Sequence, residues 1–396
     1  LNPPVLNSPT HLSILPETTV SSFKNKVQEI FDRLSYPVSS DEPWRKFPLH
    51  QMDFPSLVQQ VVSQSIVSSV ESHEPSEREI KNADVILAGL LTQSKENYFA
   101  LYTLLHASKY YFFELNENAD VDHLYDWSCK INSDQNGYAV FLVYLKSNAS
   151  AKIHEVYSSI ASSDKIHMLG SVSYYHLEDN SQLDVLVEED YDENLFHFRF
   201  VSSSQDNDSR LTYQSFPTGG FRGKHFYHPI LNGRGCNLLL TGVSSLRNRE
   251  LLDIEAKVSH MASNTTSKIS YKAIVNDRSH HIFTGNLAIP SSVKKVSAHQ
   301  ESHNLSLNKK ARAEANPKLE VMSEDVSCTH GATVGDIDEE QLFYLLSRGL
   351  TSEESKSLLV SAFYEETIAK IPFPDNIKAA LSEKIRKTFL ETNSGI

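Results

Sequence analysis

Cysteine is scarce in this chain: three in 396 residues, at Cys129, Cys236 and Cys328. Too few and too scattered for a disulfide framework, they point to a reducing compartment. Basic residues are outnumbered, with Lys and Arg totalling 37 against 50 Asp and Glu, a net charge of −13. That acidity argues against a nucleic-acid-binding surface. No apolar run nears the ~20 residues a membrane-spanning helix needs. The opening Leu-Asn-Pro-Pro-Val has neither the basic nor the apolar region of a secretory leader. The expectation is a cytoplasmic protein with no membrane and no nucleic acid among its partners.

Motifs for self-contained catalysis are equally thin. Gly219-Gly-Phe-Arg-Gly-Lys-His225 suggests a phosphate loop, but Thr218 stands where the first glycine belongs and His225 where a magnesium-binding hydroxyl belongs. The acidic run Glu188-Glu-Asp-Tyr-Asp-Glu193 has neither the glycine nor the closing Glu of a calcium loop, and reads as a solvated turn. His280-His281 face opposite ways on a strand, and His299 with His303 has ligand spacing only on a helix, so these read as solvent-facing histidines. No nucleophile elbow of the Gly-x-Ser-x-Gly type occurs.

What is present is a change of character along the chain. Residues 1 to 98 read as a mostly helical domain. Phe23, Val27, Ile30, Phe31 and Leu34 fall on one helix face, which Ser21 or Ser22 could cap, and Leu57, Val58, Val61, Val62 and Ile66 form a second stripe. From 99 to 325 short strand-like runs dominate, such as Leu195-Phe-His-Phe-Arg-Phe-Val201, and Leu252, Ile254, Ala256 and Val258 alternate with polar neighbours. Stacked coils of a parallel β-helix would bury so many short strands against one another. A large barrel or two sandwiches would give a similar string, and no strict period is visible. Residues 326 to 396 return to helix. Asp338 is a cap, Gly349 a stop, Thr351 with Glu354 a capping box, and Asp375 a third cap, ahead of Ile377, Leu381, Ile385 and Phe389.

At the strand-to-helix junction stands Cys328-Thr-His-Gly-Ala-Thr-Val-Gly335, leading into Asp336-Ile-Asp-Glu-Glu-Gln-Leu-Phe-Tyr-Leu-Leu-Ser-Arg-Gly349. Alternate residues of a strand share a face, so Cys328 and His330 can present sulfur and nitrogen together. Thiolate and imidazole suit iron and iron–sulfur chemistry. The stretch resembles the C-terminal signature of the SufB/SufD family. The segments Asp253–His260, Thr266–Val275, Ile282–Ile289, Ala298–Leu307 and Ala315–Val321 look like successive coils of that family's solenoid. Trp44-Arg-Lys-Phe-Pro-Leu49 is similar to its N-terminal element, with substitutions. Gly331 after His330, and Phe343-Tyr344-Leu345 in the linking helix, place the likeness on the SufD branch.

The resemblance implies a right-handed parallel β-helix flanked by N- and C-terminal helical domains, acting as a non-catalytic scaffold subunit in iron–sulfur cluster assembly. SufB would be the partner through the solenoid, and the SufC ATPase would dock on the C-terminal helices. His330 would lie at the SufB interface as a transient ligand of iron or a nascent cluster, with Cys328 beside it and no cofactor held stably. Leu342, Phe343, Arg348, Phe363, Tyr364 and Ile368 are the docking residues expected for SufC. A homodimer in place of the heterodimer stays open. The residues themselves leave His330 open to a bland role as a buried histidine bracing the turn, and Cys328 to one as a small core hydrophobe. The rival reading is a carbohydrate-active β-helix enzyme, which would need clustered carboxylates on adjacent coils.

Overall fold

The computed structural model describes residues 12–52, 54, 75–132, 136–160 and 165–390. The expected stripe of Leu57, Val58, Val61, Val62 and Ile66 lies outside them. Strand β1 (Leu12–Ile14) is followed by helices α1 (Glu17–Phe31), α2 (Glu77–Ser94) and α3 (Tyr98–His106). Sixteen strands then run from β2 (Tyr110–Leu115) to β17 (Val326–Asp336), and α4 (Glu339–Ser347), α5 (Ser352–Ala369) and α6 (Asp375–Leu390) close the chain. Helix α1 begins after Pro16 rather than at the expected Ser21 or Ser22, because proline at φ −57° is already set for a helix start. Asp338 and the Thr351–Glu354 pair do cap as read, whereas Asp375 sits inside the first turn of α6.

The strands build a parallel solenoid. Even-numbered strands stack into a nine-stranded sheet, with β1 added antiparallel at one edge, and odd-numbered strands stack into an eight-stranded sheet facing it. Partners one coil apart are separated by 26 to 32 positions, from Phe200↔Phe226 to Val140↔Val172. That variation is why no strict period can be seen in the sequence. The corner where each even strand hands over to the next odd strand is more regular. Asn118, Asn148, Asn180, Asp208, Gly235, Asn264 and Lys295 all take positive φ there. Asn and Asp tolerate the left-handed region better than other side chains. Asn148 and Asn180 add a ladder, each donating its amide to the asparagine carbonyl one coil back, at 3.0 and 2.8 Å.

Both outer faces of the solenoid are covered, which decides which way its side chains point. On the nine-stranded sheet, Phe196, Phe198, Phe200 and Phe226 face outward and pack under the N-terminal helices. Phe99 stacks on Phe198 with centroids 3.9 Å apart, and Trp44 lies 5.7 Å from Phe226. On the eight-stranded sheet, Leu186, Phe216, Val243 and Ile274 are covered by Val360, Tyr364, Ile368, Leu381 and Ile385 of α5 and α6. Each such fully buried apolar side chain contributes roughly 1.5–3 kcal/mol. Leu252, Ile254, Ala256 and Val258 line the lumen as their alternation predicts. The far end is left open. Among the described residues, strand β16 (Arg312–Val321) and β17 are the last members of their sheets, and none of their residues is buried.

Candidate functional site

Strand β17 brings the signature to this open end. It pairs with β15 (Val296–Ser306) so that Cys328 sits over Ala298 and His330 over Gln300, two buried, lumen-facing residues. Cys328 and His330 therefore share the side expected of them, at the mouth of the solenoid. The His330 ring is exposed and not walled in, which sets aside the bland reading of a buried, turn-bracing histidine. Cys328 is half-buried and packs against the lumen core, and burial pushes its thiol up. A raised thiol supplies less thiolate at neutral pH. A side chain at Gly331, on the opposite face of the strand, would meet nothing within 4 Å.

The other cysteines are structural. Cys129 is fully buried, and desolvation pushes its thiol up to about 12 despite the nearby Arg199 charge. The Cys236 thiol donates to the carbonyls of Gly233 and Asp206 at 3.0 Å.

The residues expected to dock an ATPase divide into two groups. On α4, Phe343 is 72% exposed, Leu342 is half-buried, and Arg348 just beyond the helix places its guanidinium 5.1 Å over the Tyr344 ring. On α5, however, Tyr364 and Ile368 are buried in the chain's own core and are not surface contacts. Phe363 is half-buried, with Lys272 of the solenoid 5.2 Å from its ring and donating to its carbonyl at 2.7 Å. The apolar stripe of α5 is spent on the eight-stranded sheet.

Two expectations about charged side chains need correction, those for the acidic run and for His281. The acidic run is no solvated turn: Gln182–Tyr191 is strand β7, and Glu189 is wholly buried in the lumen. His281 also points inward and is buried, while His280 points out to Glu314 at 2.9 Å. His299 and His303 lie on a strand and face solvent, as expected, and converge on Glu301 at 3.2 and 3.7 Å. Carboxylates do gather on the outer face of the nine-stranded sheet, but they are committed. Asp253 pairs with Lys224 at 2.9 Å, Glu255 faces His228 at 3.6 Å, and Glu320 accepts from Asn286 at 2.7 Å. The paired acid and base of a glycosidase are not offered along that groove.

A second constellation, inside the lumen, went unread in the sequence. It joins Glu155, Glu189 of β7, His197 and Arg199 of β8 (Leu195–Gln205), and His225 of β10 (Arg222–Leu231), all at most 1% exposed. Arg199 pairs with Glu155 at 3.0 Å and lies 4.3 Å over the Tyr157 ring. The alternation in Leu195–Val201 carries the signal, but polar residues are normally assigned to the outside. Here the phenylalanines face out, under the N-terminal helices, so His197 and Arg199 face in.

Comparison with known proteins agrees with this architecture. A family model described as SUF system FeS cluster assembly, SufBD core domain, matches residues 130–363, more than half of the chain. The chain is 31% identical over 170 residues, 43% of its length, to the iron–sulfur cluster assembly protein SufD of Escherichia coli. It is 25% identical over 252 residues, 62% of its length, to a SufBD family protein of Synechocystis, and 30% over 177 residues, 44% of its length, to the chloroplastic protein ABCI7 of Arabidopsis thaliana. The matched stretches span 40%, 54% and 37% of those relatives. Among the described residues no helix is long and apolar enough to cross a membrane. Solenoid, open-ended terminal coil and matched core together place this chain in the SufBD family of the Suf iron–sulfur cluster assembly system.

Proposed function

We propose that the chain is a non-catalytic scaffold subunit in iron–sulfur cluster assembly, on the SufD side of its family. One observation carries this reading. His330 stands exposed at the lumen mouth of a terminal coil on whose strands, among the described residues, no further coil is stacked. Long open strand edges are ordinarily blunted or covered, because they template pairing with another chain. A second solenoid of the SufB type, seated on β16 and β17, would satisfy those edges and bring its own side chains to His330. Neutral imidazole then offers nitrogen to iron or to a nascent cluster, the cargo of the assembly, held between two chains. The exposed face of α4 is the proposed contact for the SufC ATPase. Two copies of this chain could pair through the same end, and sizing of the purified chain alone decides that alternative.

The test is His330→Ala in a chain co-expressed with a SufB-type partner and SufC. The complex should purify with unchanged stoichiometry, because the ring is exposed and supports no core. Cluster content, read from visible absorbance and iron and sulfide analysis, should fall to background. Wild-type cluster yield in that variant would remove His330 from the assembly site.

A further inference from the structure

We infer that the lumen of the solenoid holds a second metal site, formed by Glu189, His197 and His225 and suited to one divalent first-row transition ion, iron(II) foremost. The inference does not depend on the cluster-assembly reading. Three donor atoms converge from opposite walls. Glu189 Oε2 on β7 lies 3.3 Å from His197 Nδ1 on β8 and 3.6 Å from His225 Nε2 on β10. All three lie within 4.8 Å of one another. Nitrogen and oxygen ligands about 2.1 Å from a metal stand roughly 3.0–3.4 Å apart, which matches the Glu189–His197 span and is slightly under the Glu189–His225 span.

The hydrogen bonding supports an ion over a closed network. Both carboxylate oxygens of Glu189 and Nδ1 of His197 are buried with no hydrogen-bond partner. Leaving a carboxylate so is costly unless something positive sits against it. Arg199 fills that role only in part, because its Nε is 3.8 Å from the other oxygen, an ion pair too long for a hydrogen bond, and its Nη2 is engaged by Glu155. One guanidinium thus faces two carboxyl groups, Glu155 and Glu189, in the lumen.

The outer nitrogens of both rings are held by hydroxyls, as ligating histidines are usually held by a second group. His197 Nε2 is 2.9 Å from Ser171 Oγ, and His225 Nδ1 is 3.2 Å from Tyr227 OH. Two histidines and one carboxylate leave further coordination positions open, the donor set of non-haem iron(II) sites. The ion would tie the two sheets together across the lumen.

The experiment uses the full chain, stripped of metal in urea and refolded anaerobically with and without Co(II), a coloured stand-in for iron(II). Wild type should take up one equivalent, develop visible ligand-field absorption and gain thermal stability from a ligand bound to the native state alone. Glu189→Gln and His225→Gln, which keep side-chain volume, should each weaken binding by at least about 10-fold while retaining the wild-type circular dichroism. His330→Ala should bind Co(II) as wild type does, separating this site from the solenoid mouth. Wild type taking up no Co(II) during refolding, or binding left intact in both glutamine variants, overturns the proposal. Should the variants misfold, the Co(II)-dependent rise in the wild-type melting temperature decides alone, and its absence overturns the site.

Discussion

Arg199 is the residue on which the interior electrostatics turn. Its guanidinium is in contact with Glu155, the Tyr213 hydroxyl and the Tyr157 face, all inside the lumen. Arg199→Met removes the cation and leaves the Glu155 carboxylate buried with tyrosine and serine hydroxyls alone. Breaking such a pair costs about 3–5 kcal/mol. Urea denaturation should show that loss, and Glu155→Gln added to Arg199→Met should recover part of it. His154 offers a pH test on the outer face. Burial disfavours its charged form, but hydrogen bonds and charge from Asp126 and Glu188 outweigh this and raise it to about 9. A raised histidine contributes stability that is full below its unfolded value near 6.5 and lost as pH climbs to about 9. The melting temperature should therefore fall between pH 6.5 and 9, and His154→Gln should flatten that slope. Residue-scale legibility followed chemistry that is local in sequence. Cys328 and His330 could be read because two positions on a strand share a face. Glu189, His197 and His225 could not, because three coils and an inverted inside–outside pattern bring them together.

At the scale of elements, the corner asparagines do what a sequence period does in more regular repeats. Asn180 combines positive φ with a side-chain amide bonded to the coil before it. Asn180→Ala forces a Cβ-bearing residue into the left-handed region without that compensation. We expect a loss of about 1–2 kcal/mol, while Asn180→Gly, free of the backbone penalty, should stay much closer to wild type in urea. Equal stability of the two variants would show that the corner is indifferent to backbone conformation. The ladder was legible in principle, since Asn, Asp or Gly precedes most odd-numbered strands by a residue or two. It escaped notice because spacings drift by several residues and Lys295 occupies the same corner position. Helix ends near the C-terminus were legible, for Asp338, Thr351 with Glu354, and Gly349 act through bonds to their immediate neighbours. The start of α1 was not, because a proline without a side-chain cap initiates it. Helix α3 was missed for a related reason. Its Tyr98-Phe-Ala-Leu-Tyr-Thr-Leu-Leu stretch is buried almost all round, so no polar face marks a 3.6-residue period.

For the whole molecule, the covering of both sheets decides how partner binding must be tested. A chain ending near residue 336 is the obvious probe of docking by the C-terminal helices. It would also strip Leu186, Phe216, Val243 and Ile274 of α5 and α6, uncovering a contiguous apolar face. Such a face drives association, so the truncated chain should self-associate in sizing experiments whatever SufC does. Point changes on α4 avoid that confusion. Phe343 and Leu346 project into solvent and support no core, whereas Tyr364 and Ile368 cannot be altered without unseating α5. Phe343→Glu combined with Leu346→Glu should leave the melting temperature within a degree or two of wild type and lower SufC affinity at least about 10-fold, as loss of central apolar anchors does. Calorimetry with purified SufC measures it. Undiminished affinity would detach the ATPase from this helix and move its docking surface elsewhere on the chain.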